Sequence, residues 1–282
     1  MKKVIVVTGP TASGKTDLSV KLASFLNTEI INGDSVQTYQ ELNIGSAKIK
    51  ENEMNNIKHH LLDINSILNE YTIFDYQVDV RNLLDSFKTI PIIVGGSGLY
   101  IKSALYDYRF VTLSNQENEI SYNEKIEVIK KSDPNLKIDW NNKRRIDSAY
   151  NIIISGNKRS NFTKKDVPLY DIFTIYLDLD RKILKERIAN RLDNMIKEGF
   201  IEEVKSLPKK DLNIIGYKQI ALYLNNKLSL DEAKDAIIKA SMKFAKRQKT
   251  WFLNQMESNI YNALDNNLFN NVKQDILNFI KD

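Results

Sequence analysis

The chain has 282 residues, 41 Lys and Arg against 36 Asp and Glu, and no cysteine. With 42% hydrophobic and 27% charged residues it has the composition of a folded chain of one or two domains with a real core, not of a disordered one. The lack of cysteine excludes disulfides, Cys-based zinc sites, Fe–S clusters and a thiol nucleophile, and two adjacent histidines, His59 and His60, are too few for a histidine metal cage.

The apolar start at residues 4–7 stops at Gly9-Pro10, short of the about 7–15 residues of a signal-peptide core. No apolar run approaches the roughly 18 residues that a transmembrane helix needs. A soluble, cytoplasmic, monomeric protein with no membrane partner is expected. Residues 2–8 are β-branched and apolar and predict a buried strand. Residues 16–26 have helical spacing, with Leu18, Leu22, Phe25 and Leu26 on one side. Residues 29–32 predict a second strand and 60–64 a third. A helix is predicted over 74–87, with Phe74, Val78, Leu84 and Phe87 on one face. Residues 90–94 predict a strand that runs into Gly95-Gly96.

The stretch 112–165 is polar, rich in Asn and Lys, and has no strong strand. It predicts a small helical insertion domain, bordered by Leu113-Ser114-Asn115 and by residues 157–165, within a core formed by 1–111 and 166–282. A late strand follows at 171–179, then helices at 181–207 and 229–253. Ser229 with Glu232 three residues on makes a capping box for the second. Strands alternating with helices give the expected fold class: α/β, a parallel sheet wrapped by helices, with its ligand edge beyond the carboxyl ends of the strands. Charge is uneven along this order. Residues 141–253 hold 24 Lys and Arg against 14 Asp and Glu, and the rest holds 17 against 22. A basic half suits a polyanionic partner or a solvated basic surface.

Residues 9–16, Gly9-Pro10-Thr11-Ala12-Ser13-Gly14-Lys15-Thr16, match G-x4-G-K-[ST] between a predicted strand and a predicted helix. In such a loop, backbone N–H groups and the helix N-terminus face a pyrophosphate. Lys15 then supplies a point charge to the terminal phosphates, and Thr16 Oγ is placed to hold Mg²⁺. The pattern specifies a pyrophosphate but not the molecule that carries it. Asp34 follows the second strand and falls at the same sheet edge, where it can act as a general base, bind Mg²⁺ through water or cap the next segment. Gly95-Gly96-Ser97-Gly98 at this edge implies a close backbone approach, a positive φ or a tight turn.

Five segments, taken together, resemble the bacterial tRNA dimethylallyltransferases: the phosphate loop, residues 34–39 (DSVQTY), 59–63 (HHLLD), 95–100 (GGSGLY), and the pair 215–218 (IGYK) and 245–251 (AKRQKTW). The absence of a zinc-finger extension favours the bacterial form. The resemblance implies a P-loop NTPase-like fold and transfer of a dimethylallyl group from dimethylallyl diphosphate to N6 of the adenosine just 3′ of the anticodon in tRNA. It implies that the phosphate loop holds the donor's diphosphate with Mg²⁺, that Asp34 takes the N6 proton, that Thr11 lies near the diphosphate, and that Arg187 and Arg191, on one helix face by their i,i+4 spacing, match family arginines of which at least one faces the pyrophosphate. Asp34, Ser35, Val36, Gln37 and Ser97 match positions that meet the target nucleotide. Asn142, Lys143, Arg144, Arg145 and Ile146 match an RNA-contacting segment. Lys243, Lys246, Arg247 and Gln248 are expected to meet the anticodon stem-loop, with Phe244 and Trp251 read as core. His59 and His60 are read as structural.

This chain has Ser97 where the family usually has Thr and Met242 where it usually has Arg. Ala47-Lys48-Ile49 keeps only the lysine of a Lys-Pro pair. Three other readings compete: an isopentenyltransferase acting on free adenine nucleotides, a small-molecule P-loop kinase that could bind ATP, and an RNA-binding protein with a relict loop.

Overall fold

A computed structural model describes residues 1–110, 120–162, 167–209 and 211–281. The expected border Leu113-Ser114-Asn115 and part of the 157–165 border lie outside these residues. The chain forms two compact units, Met1–Leu105 with Tyr170–Asp282, and Tyr106–Leu169.

The larger unit opens with β1 (Lys3–Thr8), α1 (Lys15–Leu26), β2 (Ile30–Asn32), β3 (His59–His60), α2 (Ile73–Ser86), β4 (Ile92–Val94) and α3 (Gly98–Leu105). The smaller unit contributes α4 (Tyr122–Ser132) and α5 (Lys143–Ile154). The larger unit resumes with β5 (Asp171–Asp178), α6 (Arg181–Lys197), α7 (Phe200–Ser206), α8 (Tyr217–Leu224), α9 (Leu230–Gln255), β6 (Asn259–Asn262) and α10 (Leu268–Lys281).

All strand pairs are parallel, in the order β3-β2-β4-β1-β5-β6. Central β1 is buried almost throughout because helices cover both of its faces, so its sequence is continuously apolar rather than alternating. Ile5, Val7, Ile92, Ile175 and Leu177 of the sheet pack with Leu18 and Leu22 of α1 and with Val272 and Ile276 of α10. A second cluster, with Leu192, Phe200, Tyr217 and Ile237, ties α6 to α9. Among the described residues no helix is long and apolar enough to cross a membrane.

Four local expectations change. Helix α2 turns Phe74 and Val78 outward and buries Tyr76, Gln77, Val80 and Leu84. Its polar tips are satisfied indoors: Tyr76 Oη donates to Asn32 O at 3.0 Å and Gln77 Nε2 to Ser103 O at 2.6 Å. The third strand is only His59–His60, because Leu61 (φ 60°) and Asp63 (φ 56°) take left-handed backbone that ends the ladder. The single helix expected over 181–207 is two, broken at Gly199 (φ 103°). Phe244, read as core, is 38% exposed. The histidines are held locally: His59 Nδ1 is hydrogen-bonded to Ile57 O at 2.9 Å and His60 Nε2 to Glu29 at 2.5 Å.

In the smaller unit, Ile129, Leu136, Ile146, Ala149 and Tyr150 form a separate core. Asn142 caps α5 by accepting the Arg145 N–H, and Asp147 takes hydrogen bonds from Lys125 and Tyr122.

Candidate active site

The site lies at the carboxyl edge of the sheet in the larger unit. After β1 the chain turns through Gly9 (φ 146°), Ala12 (φ 61°) and Gly14 (φ 89°) into α1. A Cβ on Gly9 would sit 2.6 Å from the Leu177 carbonyl oxygen, so the loop is pressed against β5 and needs glycine there. Lys15 bends back over the loop and donates to Gly9 O (3.0 Å) and Pro10 O (2.7 Å). Burial and the nearby Arg191 lower its pKa to about 8, with Asp34 opposing. The buried Ser13 Oγ has no hydrogen-bond partner among the described residues.

Asp34 follows β2. Asn32, nearly buried, holds this turn: its Oδ1 accepts the Asp34 N–H (2.9 Å), and its amide donates to Asp34 O and Leu61 O. Asp34 Oδ1 accepts from Val36 N at 2.9 Å, an Asx turn that leaves Oδ2 without a partner among the described residues. The glycine loop after β4 has a steric cause rather than a dihedral one. A Cβ on Gly95 would fall 2.0 Å from the Gly33 carbonyl carbon, so the loops after β2 and β4 touch backbone to backbone. Ser97 Oγ accepts from Ser35 N (2.9 Å) and donates to Ser35 Oγ (3.1 Å). Ser97 therefore steadies the segment that follows Asp34.

Two arginines come from one face of α6. Arg187 Nη1 donates to Ala12 O at 3.3 Å, and Arg191 Nη1 to Thr11 Oγ1 at 3.0 Å. Arg191 Nη2 also reaches Ala47 O at 3.5 Å. Burial lowers the Arg191 pKa, while Asp34 and Glu53 raise it. Gln37 Nε2 donates to Ser46 O and Ala47 O.

Thr11, Lys15, Thr16, Asp34, Gln37 and Arg191 line one cavity of about 520 Å³. Ser35 and Val36 border it too, and α9 closes its far wall with Phe244, Arg247 and Gln248. The Arg247 guanidinium lies 5.7 Å from the Phe244 ring centroid. Gln248 donates to Gly96 O at 2.9 Å, and its buried Oε1 has no partner among the described residues. A Cβ on Gly98 would lie 2.2 Å from the Trp251 ring, so α9 also packs on the glycine loop. Another face of α9, with Met242, Ala245, Lys246 and Lys249, borders a second cavity of about 730 Å³ beside Pro10.

The structure thus gathers most of the expected loop and base residues, together with Arg247 and Gln248, at one cavity. Arg187 braces the loop from outside its lining, and Lys243 is exposed on α9. In the smaller unit, Lys143, Arg144 and Arg145 are exposed while Asn142 serves as a cap. Ile146, expected at RNA, has its side chain in that unit's core at 2% exposure, so it supports the helix instead of offering a side chain to a ligand. Sequence reasoning missed Asn32, the 45–47 stretch and Glu203. Asn32, ending a strand one residue before Gly-Asp, carried the best available signal.

The donor set suits a hard cation only in part. Thr16 and Asp34 offer oxygen at the cavity, but no group of three or more His, Cys, Asp or Glu among the described residues could hold a metal by itself. A Mg²⁺ ion would fit if phosphate and water oxygens completed its shell.

A parallel sheet with a G-x4-G-K-T loop at its carboxyl edge, faced by a carboxylate and two arginines, defines a protein of the P-loop NTPase-like class. The chain matches the IPP transferase family over residues 37–255. It is 60% identical over 261 residues to a tRNA dimethylallyltransferase of Acholeplasma laidlawii, covering 93% of this chain and 92% of the relative. It is 39% identical to the tRNA dimethylallyltransferase of Bacillus mycoides, covering 91% and 88%. The crystal structure of the full-length tRNA isopentenylpyrophosphate transferase of Bacillus halodurans superposes with a TM-score of 0.78 at 30% identity, covering all of this chain and 97% of the other. This chain belongs to the IPP transferase family.

Proposed function

We propose that this protein transfers a dimethylallyl group from dimethylallyl diphosphate to N6 of the adenosine 3′-adjacent to the anticodon in tRNA and releases pyrophosphate. One observation carries the reading. In a chain 60% identical to a tRNA dimethylallyltransferase, the phosphate loop and Asp34 line a single cavity whose far wall is the basic helix α9.

The chemistry follows from that cavity. The bond between the allylic carbon and the diphosphate oxygen breaks, and its electron pair leaves with pyrophosphate. N6 forms the new bond to carbon, and its proton goes to the Asp34 carboxylate. Charge develops on the leaving group, so catalysis rests on donors organised beforehand: the loop N–H groups, Lys15, Thr11 and the paired arginines. Arg191, tied to Thr11, sits at the diphosphate, and Arg187 holds the loop's shape through Ala12. Mg²⁺, held by Thr16 Oγ with diphosphate and water oxygens, would neutralise part of the leaving group's charge. The target adenosine leaves its stack to reach the cavity. Ser35, Val36, Gln37, Arg247 and Gln248 receive it and its neighbours. Lys243, Lys246 and the Asn142–Arg145 end of α5 supply contacts to the anticodon stem-loop.

The test mixes protein, Mg²⁺ and dimethylallyl diphosphate with unmodified tRNA, with AMP as a parallel acceptor, followed by digestion and mass spectrometry. N6-dimethylallyladenosine in tRNA alone is expected. Product on AMP alone would assign the chain to free nucleotides. Phosphate transfer or ATP hydrolysis without prenyl transfer would indicate a kinase.

A further inference from the structure

The IGYK segment is not explained by the chemistry above. Its tyrosine, Tyr217, is 1% exposed and cannot itself meet a ligand. Its hydroxyl donates to Glu203 Oε1 at 2.7 Å. The same carboxylate accepts three consecutive backbone N–H groups, from Asn43 (3.1 Å), Ile44 (2.7 Å) and Gly45 (3.0 Å). One half-buried carboxylate thus takes four donors, three of them from a single loop. Burial and this hydrogen bond both push the Tyr217 pKa up, so the phenol stays a donor.

Packing fixes the same contact. A Cβ on Gly45 would fall 2.1 Å from the Phe200 ring and 2.7 Å from that of Tyr217, so the loop lies flat on α7 and α8. The next two residues reach the site. Ser46 O and Ala47 O accept from Gln37, and Ala47 O accepts from Arg191, whose other nitrogen donates to Thr11 of the phosphate loop. Ala47 holds φ 49°, a backbone state that its neighbours must maintain.

We infer that Glu203 is a positioning residue: through loop 43–47 it sets Arg191 at the diphosphate end of the cavity and fixes the Gln37 amide, with Tyr217 completing the carboxylate's shell. The inference rests on the proposed prenyl transfer, but its first readout does not. That readout is the affinity for inorganic pyrophosphate by calorimetry, in wild type, Glu203→Gln, Arg191→Ala and the double variant. Glutamine turns an N–H₂ toward backbone donors, so the loop loses acceptors while side-chain volume is kept. About tenfold weaker pyrophosphate binding is expected in Glu203→Gln, and a tenfold to hundredfold lower kcat for tRNA prenylation, the scale of a misplaced electrostatic group. The double variant should bind pyrophosphate no more weakly than Arg191→Ala alone, because the two changes act through one guanidinium. The Kd for tRNA should stay within about threefold, on the scale of a contact that does not touch RNA.

Additive losses, or a loss confined to tRNA binding, would overturn the inference, as would wild-type values in Glu203→Gln. If Glu203→Gln does not fold, Tyr217→Phe decides. It keeps the ring against Gly45, removes one donor, and should weaken pyrophosphate about threefold, the scale of one lost hydrogen bond, without adding to Arg191→Ala. A wild-type protein that binds pyrophosphate yet prenylates nothing would refute the proposed function and leave the positioning result standing.

Discussion

The phosphate loop and helix α9, which both border the main cavity, are built on opposite terms. At the phosphate loop every cation is already engaged: Lys15 on Gly9 and Pro10, Arg187 on Ala12, Arg191 on Thr11 and Ala47. Along α9, Lys243 and Lys246 lie off the lining of that cavity, are exposed and make no ion pair with a described residue. Arg247 rests on the ring of Phe244. The first has spent its desolvation and ordering costs during folding, so it is ready for charge that develops for an instant. The second remains solvated, as suits a partner that arrives with its own counterions and is recognised over a wide surface. Substitutions at the two should therefore fail in different currencies.

The largest effect is expected from Asp34→Ala. A positioned general base contributes about 10²–10⁴-fold, and Asp34 is placed by Asn32 and its own Asx turn. Single-turnover prenyl transfer should fall by that factor, while pyrophosphate affinity measured at pH 7 persists. Near-wild-type turnover would remove the base from the mechanism and leave Asp34 as a cap.

A smaller effect comes from the protonation of Lys15. Its pKa of about 8 lies below the usual 10.5 because of burial and Arg191. If the charged amine is the form that holds diphosphate, as the proposed function has it, affinity for pyrophosphate should fall as pH rises through 8, by about tenfold between pH 7 and 9.5. Binding near pH 8.5 should also take up a proton, because the anion raises the Lys15 pKa. Calorimetry in buffers of different ionisation enthalpy would detect it. Lys15→Arg should lose this trend, and the ligand's own protonation cancels between the two proteins. The stability linkage has the opposite sign to that of a paired lysine. Between pH 8 and 10.5 the unfolded chain binds more protons at this residue, so its contribution to stability rises with pH.

What the sequence carried was local and repetitive. The phosphate loop was legible because its residues are contiguous and each has one backbone task. The parallel core was legible because strands buried on both faces must be continuously apolar. The outward turn of Phe74 was not, since Gln77 looks polar until a buried Ser103 carbonyl satisfies it. Nor was the break in 181–207, where Gly199 was one glycine in a helical pattern until its φ of 103° ended α6. Asn32, Glu203 and the 45–47 loop act through backbone groups of residues far away in sequence, and spacing alone cannot record such partners. Ile146 shows the converse error: a residue inside a basic motif inherits its neighbours' expected role although its side chain faces the other way, into a core.

The smallest expected effect separates the phosphate loop from the basic helix most cleanly. Lys243 and Lys246 are exposed, so removing either should change little at low salt and destabilise the fold by no more than an ordinary surface substitution. Each phosphate contact that releases a counterion contributes roughly 0.7–0.9 to the slope of log Kd for RNA against log salt concentration. Lys243→Ala and Lys246→Ala should each flatten that slope by this amount if both reach phosphate, and the double variant should flatten it by the sum. Lys15→Arg, in the phosphate loop, should leave the slope unchanged, because in the proposed reaction its counter-charge is the donor's diphosphate and not the RNA. The two lysines also discriminate within α9, since Lys246 borders the cavity beside Pro10 whereas Lys243 lines neither cavity. A slope altered by Lys246→Ala but not by Lys243→Ala would place the RNA backbone on the Pro10 side of the helix, and the reverse would take it away from that cavity. A slope altered by neither would mean that α9 contributes packing through Gln248 and Trp251 and that the basic residues of α5 carry the electrostatic contact.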